Sequence, residues 1–430
     1  MRKSLLCMGA IAMACMPMAA SNPTTGPKAD YWVSVDTASG LMGLQGKGGL
    51  GMMGAMMGGG FTASVARTLV LDLGAQQAPS AGAPQASHDI PAGLKLGKTL
   101  PLETPKRESA GSSGGAYERP KGKILIYWGC GEKARSGQPI VFDSEKIWSG
   151  QMPPNITWVS PRSTSPPSLS NSKTYGNWPW ALTGRNAQMQ RTVPDGGSLL
   201  GEHLIRSNYA PEIKFTLAGA AQDFMEPLAV TLGPRSAAGA QPTSWRSVGN
   251  VTAYGASFIG MGEDQNSGVI WSSSEVPAIV LAAMDWVSPA EAARLVQLKA
   301  FLPPTAVSCT IPADVMKAAP MGTLFLGASG PETNFAYPPK PDDPRALWTI
   351  EWTAKVRFKS SYMTMLGNGL DAAQSDEAHP EQASKPQCPP PSGGSAVGEA
   401  LGGALGGALG GAIGRRLGAK PPAQSDPACQ

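Results

Sequence analysis

The sequence predicts a mainly β protein: two antiparallel β-sandwich-like domains with one short helix, followed by a C-terminal glycine-zipper helix. Three observations carry this. Short apolar runs alternate with Pro, Gly and Ser turns, the grammar of antiparallel strands rather than of βαβ units. A single segment, 288–301, has both helix start and stop signals. Near the C-terminus glycine returns at every fourth position.

Composition frames the reading. The 430 residues include 53 Gly and 40 Pro, well above ordinary usage of about 7% and 5%. Glycine concentrates at two places, with 10 in the 21 residues from Gly40 to Gly60 and 11 in the 26 from Gly393 to Gly418. Between them lie 10 of the 11 Trp, enough apolar bulk for a real core. The net charge is +4 and no run of like charges exceeds two residues. Nucleic-acid binding calls for a concentrated basic face, so no nucleic-acid partner is expected.

Residues 1–20 read as a secretory signal. Arg2 and Lys3 precede an uncharged, mostly apolar stretch that is too short for a membrane span. Cleavage after Ala20 starts the chain at Ser21; cleavage after Ala14 exposes Cys15, as in a lipoprotein. The expected location is the periplasm or outer membrane of a bacterium. Residues 21–60 form a Gly/Met-rich leader in which Tyr31, Trp32 and Val33 stand out.

The first β-sandwich-like domain is placed at 61–160. Strands are expected at 67–73, 123–128, 138–142 and 156–159, with an interrupted alternation through Leu94, Leu96, Leu100 and Leu102. Residues 161–200, rich in Pro, Ser and Asn around Trp178 and Trp180, read as a linker.

The second domain is placed at 201–370, with strands near 213–217, 228–232, 243–245, 250–259 and 268–273. Ser288, Pro289 and Glu291 supply an N-cap, a first-turn proline and a capping-box acid for the helix 288–301. Pro303 and Pro304 end it. Strands resume at 307–311, 322–326 and 347–358, the last placing Trp348, Ile350, Trp352, Val356 and Phe358 on one buried face. The spacing of Trp245 and Tyr254 resembles fibronectin type III-like sandwiches. That resemblance covers about thirty residues and implies a Trp and a Tyr packed across two sheets, with no activity attached.

After a polar linker at 371–392 comes the zipper, 393–418, and a short tail, 419–430. Gly394, Gly398, Gly402, Gly406, Gly410, Gly414 and Gly418 keep a period of four, as do Leu401, Leu405, Leu409, Ile413 and Leu417. On a helix these make one bare stripe and one apolar stripe, suited to close helix contact in lipid. Glu399 and the many glycines oppose insertion of a lone span, so another copy or a partner helix is required. The segment resembles the glycine zippers of bacterial outer-membrane-associated proteins and lipoproteins, which implies envelope association. The expected partners are therefore the membrane or another copy of the chain.

Outside the signal, the cysteines are Cys130, Cys309, Cys388 and Cys429. An even count in an exported chain suits disulfides, and the favoured pairing is 130–309 with 388–429. No CxxC or Cys/His spacing marks a metal, and no cofactor motif survives scrutiny. Gly111, Ser113 and Gly115 spell a nucleophile-elbow pattern without its strand and helix.

No catalytic residue is therefore assigned. Glu202 and His203, with Asp223 and Glu226 downstream, are the acid–base combination most worth locating. The expected function is a structural or binding protein of the envelope, its sandwich surfaces meeting a protein or glycan. The alternatives are a secreted hydrolase built from sequence-distant residues and a subunit of an oligomeric membrane pore.

Overall fold

Period-two patterning extends further along the chain than the apolar runs alone suggest. The computed structural model describes residues 22–46, 65–105, 122–149, 158–162, 164–178, 192–264, 266–278 and 286–367. The first strands are β1 (Thr24–Thr25), β2 (Ala29–Gly40), β3 (Val65–Ala75), β4 (Ala86–Asp89), β5 (Thr99–Leu102), β6 (Lys123–Trp128) and β7 (Ile140–Asp143). Next come β8 (Thr174–Asn177), β9 (Thr192–Val193), β10 (Gly201–Ser207), β11 (Ile213–Leu217), β12 (Val230–Leu232) and β13 (Gln241–Trp245). The last are β14 (Ala253–Met261), β15 (Ser267–Ser272), β16 (Ser308–Ile311), β17 (Met321–Tyr337), β18 (Trp348–Thr349) and β19 (Trp352–Leu366). The helices are α1 (Ser144–Trp148), α2 (Pro289–Gln297) and α3 (Ala313–Ala318).

The protein is mainly β, as expected, in several sheets, none of which closes among the described residues. The largest has ten strands, ordered β7-β6-β15-β14-β17-β19-β2-β3-β8, with β9 also on β3. Its pairing corrects the expectation of purely antiparallel sheets. β2 runs parallel to β19, and β6 runs parallel to β15. Apolar alternation reports which face a residue takes and carries no information on a neighbour's direction, so this was not readable.

Two other segments depart from expectation. The leader 21–60 contains β2, a central strand of twelve residues. The linker 161–200 contains β8 and β9, both on β3, with Trp178 buried beside them. Strands from both sides of 161–200 therefore share one sheet.

Four strands, β11-β10-β4-β5, form an antiparallel sheet, and β12-β13-β16 form another. In β11 the alternation is complete: Ile213, Phe215 and Leu217 are buried while Lys214 and Thr216 are exposed. Their buried face joins Tyr31, Val33 and Val35 of β2 and Leu69, Leu71 and Leu73 of β3 in the main apolar cluster. Burying a Leu- or Phe-sized side chain contributes about 1.5–3 kcal/mol, so this cluster is the chief source of stability.

Helix α2 covers the opposite face of the large sheet. Ser288 accepts a hydrogen bond from the Glu291 backbone N–H, the cap the sequence predicts. Ala292 and Leu295 pack with Ala253 of β14, Val287 and Phe301 in a second apolar cluster.

Cys130 and Cys309 are bonded, with Cα atoms 5.2 Å apart. The bond ties the end of β6 to β16, and so joins the large sheet to the three-stranded one. The signal 1–20, the zipper residues 393–418, Cys388 and Cys429 lie outside the described residues.

Candidate functional site

Beneath the zipper question lies a feature of the large sheet that composition did not announce. Successive residues of β2 point to opposite faces, so Tyr31, Val33 and Val35 enter the apolar core while Asp30, Trp32, Ser34 and Asp36 face the other way. The parallel register sets Lys355 beside Trp32, Arg357 beside Ser34 and Lys359 beside Asp36. The result is a row of cations and indoles on one sheet face.

The row is tightly made. Lys355 Nζ sits 4.8 Å and the Arg357 guanidinium 4.7 Å from the Trp32 ring centre. The ring centre of Trp286, just before α2, lies 4.9 Å from the Arg357 guanidinium and 4.0 Å from Lys359 Nζ. The Trp286 indole N–H donates to the Val35 carbonyl at 3.2 Å, which holds the ring over the sheet. Contacts of this kind contribute about 0.5–1 kcal/mol when exposed and about 2 or more when desolvated.

Polar partners complete it. Arg357 Nε donates to Ser34 Oγ at 2.7 Å. Lys355 pairs with Glu332 at 2.7 Å. Lys359, its side chain only 3% exposed, lies 3.7 Å from Asp36 Oδ2, and the Ser361 hydroxyl donates to the same carboxylate. Such a row fixes charge and ring orientation, with its two lysines held in ion pairs by Glu332 and Asp36. Lys355, Arg357 and Trp286 are half-buried. The period-two order Lys355, Arg357, Lys359 was legible in the sequence, but its match to Asp30, Trp32, Ser34 and Asp36 required the parallel pairing.

The opposite face holds a second polar constellation. His88 of β4 and His203 of β10 are 115 residues apart, yet His88 Nε2 is 3.0 Å from His203 Nδ1. His203 Nε2 lies 2.8 Å from the Leu199 carbonyl, which can only accept, so Nε2 carries the proton. His203 Nδ1 then accepts from His88 Nε2–H, and His88 Nδ1 accepts from the Tyr31 hydroxyl at 2.9 Å. One proton arrangement satisfies every atom, with both rings neutral. Burial holds the His88 imidazole well below its usual value, and a charge on His203 would lower it further. Burial also lowers His203, against the Leu199 hydrogen bond. Burial, with Asp72 and Tyr209 adding, raises the Tyr31 phenol. Phe215 stacks on His203 at 4.9 Å and Phe335 on Phe215 at 4.9 Å, sealing the line in apolar surroundings.

This geometry disposes of the acid–base combination. Glu202 and His203 are consecutive in β10, so they point to opposite faces. Glu202 pairs with Lys214 at the surface, whereas His203 is fully buried. Asp223 accepts from the Ser198 hydroxyl at 2.6 Å and the Leu199 N–H at 2.9 Å, a loop-fixing role. Glu226 is exposed. The four do not converge. Among the described residues no group of three or more His, Cys, Asp and Glu is arranged for a metal ion.

Trp245 and Tyr254 do meet across two sheets, with ring centres 5.5 Å apart, and the Tyr254 hydroxyl accepts from the Val248 N–H. No known protein family, no curated protein and no solved structure matches the chain.

Proposed function

We propose that the protein is an exported cell-envelope protein of structural or binding type. It is a disulfide-tied, sandwich-like β scaffold that associates with membrane or with another copy through the glycine-zipper segment 393–418. The observation that carries the reading is the Cys130–Cys309 bond, because such bonds persist in oxidising compartments and are rare in the cytosol. Arg2, Lys3 and the apolar stretch behind them supply the matching export signal.

The zipper stripe Gly394, Gly398, Gly402, Gly406, Gly410, Gly414 and Gly418, backed by Leu401, Leu405, Leu409 and Ile413, is the contact element. Lys355, Arg357 and Trp286 give the scaffold a cationic, aromatic surface for a protein or glycan bearing negative charge.

Thiol trapping in expressing cells tests the export claim. The intact chain is expected to carry Cys130 and Cys309 resistant to alkylation until reduced, while a chain lacking residues 1–20 exposes both. Equal alkylation of both residues in the two chains would remove the basis for export.

A further inference from the structure

At the end of the large sheet where β14 and β19 stop and β17 begins, one face carries four methionines. Met261 of β14 stands directly opposite Met321 of β17. Thr323 stands opposite Met365 of β19, and Phe325 opposite Met363. Directly opposed residues project to the same side, so all four methionines share one face. Directly paired Cβ atoms lie about 4.5–5.5 Å apart and diagonal neighbours about 7–8 Å, so Met321 has Met261 opposite it and Met365 on the diagonal, while Met363 neighbours Met365 one step further along β19.

Both exposed side chains lean across the β17–β19 pair. A Cβ added at Gly367, just past the end of β19, would lie 2.9 Å from Met321 Cγ and 3.6 Å from its Sδ. Met365 leans the other way, its Sδ 4.0 Å from the Thr323 hydroxyl on β17. Met321 is 57% exposed and Met365 41%, while Met261 and Met363 are half-buried.

Large exposed apolar side chains are ordinary when scattered. Two neighbouring exposed methionines flanked by two more are a concentration of soft donors on flexible arms. Thioethers favour soft metal ions such as Cu(I) and have little affinity for the hard ions Mg and Ca.

We propose that Met321 and Met365, assisted by Met261 and Met363, form a site for a soft monovalent cation of the Cu(I) type. The site uses neutral sulfur donors only, so it needs no deprotonation and keeps its affinity at mildly acidic pH. It is independent of the zipper and of the cation–indole row.

The test uses the full-length chain labelled with 13C at the methionine methyls, titrated with Ag(I) as a redox-inert stand-in and then with Cu(I) under ascorbate. The first equivalent is expected to shift the methyl signals of Met321 and Met365, with Met261 or Met363 following. A Met321→Leu, Met365→Leu chain keeps the apolar bulk and loses the sulfurs. It is expected to bind the first equivalent at least tenfold more weakly with unchanged thermal unfolding. A chain with Met52, Met53, Met56 and Met57 changed to Leu is expected to bind it as the parent does. The proposal is overturned if the first equivalent shifts only other methionines, or if the Met321→Leu, Met365→Leu chain binds with parental affinity.

Discussion

His88 Nε2 lies 3.0 Å from His203 Nδ1, in the middle of a buried line that runs from the Tyr31 hydroxyl to the Leu199 carbonyl. The line stitches β2 of the large sheet to β4 and β10 of the four-stranded sheet, and burial favours the neutral form of both imidazoles.

Both imidazoles protonate less readily folded than unfolded. The unfolded chain therefore binds protons first as the pH falls, from about pH 6.5. The stability from this line is complete above that value and declines as the pH drops below it. Urea unfolding is expected to show a falling midpoint between pH 7.5 and pH 5.5, and a smaller fall in a His88→Gln, His203→Gln chain. The same fall in both chains would assign the effect to other groups.

The Arg357 guanidinium lies 4.7 Å from the Trp32 ring centre and 4.9 Å from that of Trp286, while its Nε donates to Ser34. An ammonium cannot stack on two rings and keep that planar donor geometry. Arg357→Lys is expected to lower unfolding free energy by about 1–2 kcal/mol. Trp fluorescence should shift as Trp286 gains solvent. An unchanged unfolding midpoint would mean that the row contributes no stability.

The Cys130–Cys309 bond closes a segment of 179 residues in sequence. A long closed loop restricts the unfolded chain strongly, and loss of a native bond commonly costs about 2–5 kcal/mol. The Cys130→Ser, Cys309→Ser chain should unfold at clearly lower urea than the oxidised parent, and reductant should bring the parent to the same midpoint.

Gly330 sits at the register shift between β17 and β19, where Ser329 pairs with Lys359 and Glu332 with Arg357. A Cβ there would strike Met225 Sδ and lie 2.7 Å from the Phe358 carbonyl oxygen, which cannot move without breaking the sheet. Gly330→Ala is expected to cost about 1–3 kcal/mol in urea unfolding. Gly249, with nothing within 4 Å of its Cβ position, is the control and should tolerate Ala.

Much of the strand content was legible because its signal is local. Lys123–Trp128 and Ile213–Leu217 coincide with their apolar runs, and the Ser288 cap announced α2. β2 was hidden because its polar face, Asp30, Ser34 and Asp36, is answered by Thr353, Arg357 and Lys359 on β19, more than 300 residues away. The His88–His203 pair was hidden for the same reason. The two rings are 115 residues apart in sequence, and the pairing of β4 with β10 creates the contact. Side-chain periodicity reveals faces, whereas sites made by distant strands depend on register.

The central claim, an envelope protein held through its zipper, is tested most directly by fractionating cells that express the intact chain or one truncated before Gly393, with a carbonate wash of the membranes. The account predicts that the intact protein stays with the membrane pellet and the truncated one is released soluble. If both are released alike, residues 393–418 are not the attachment and the claim is contradicted.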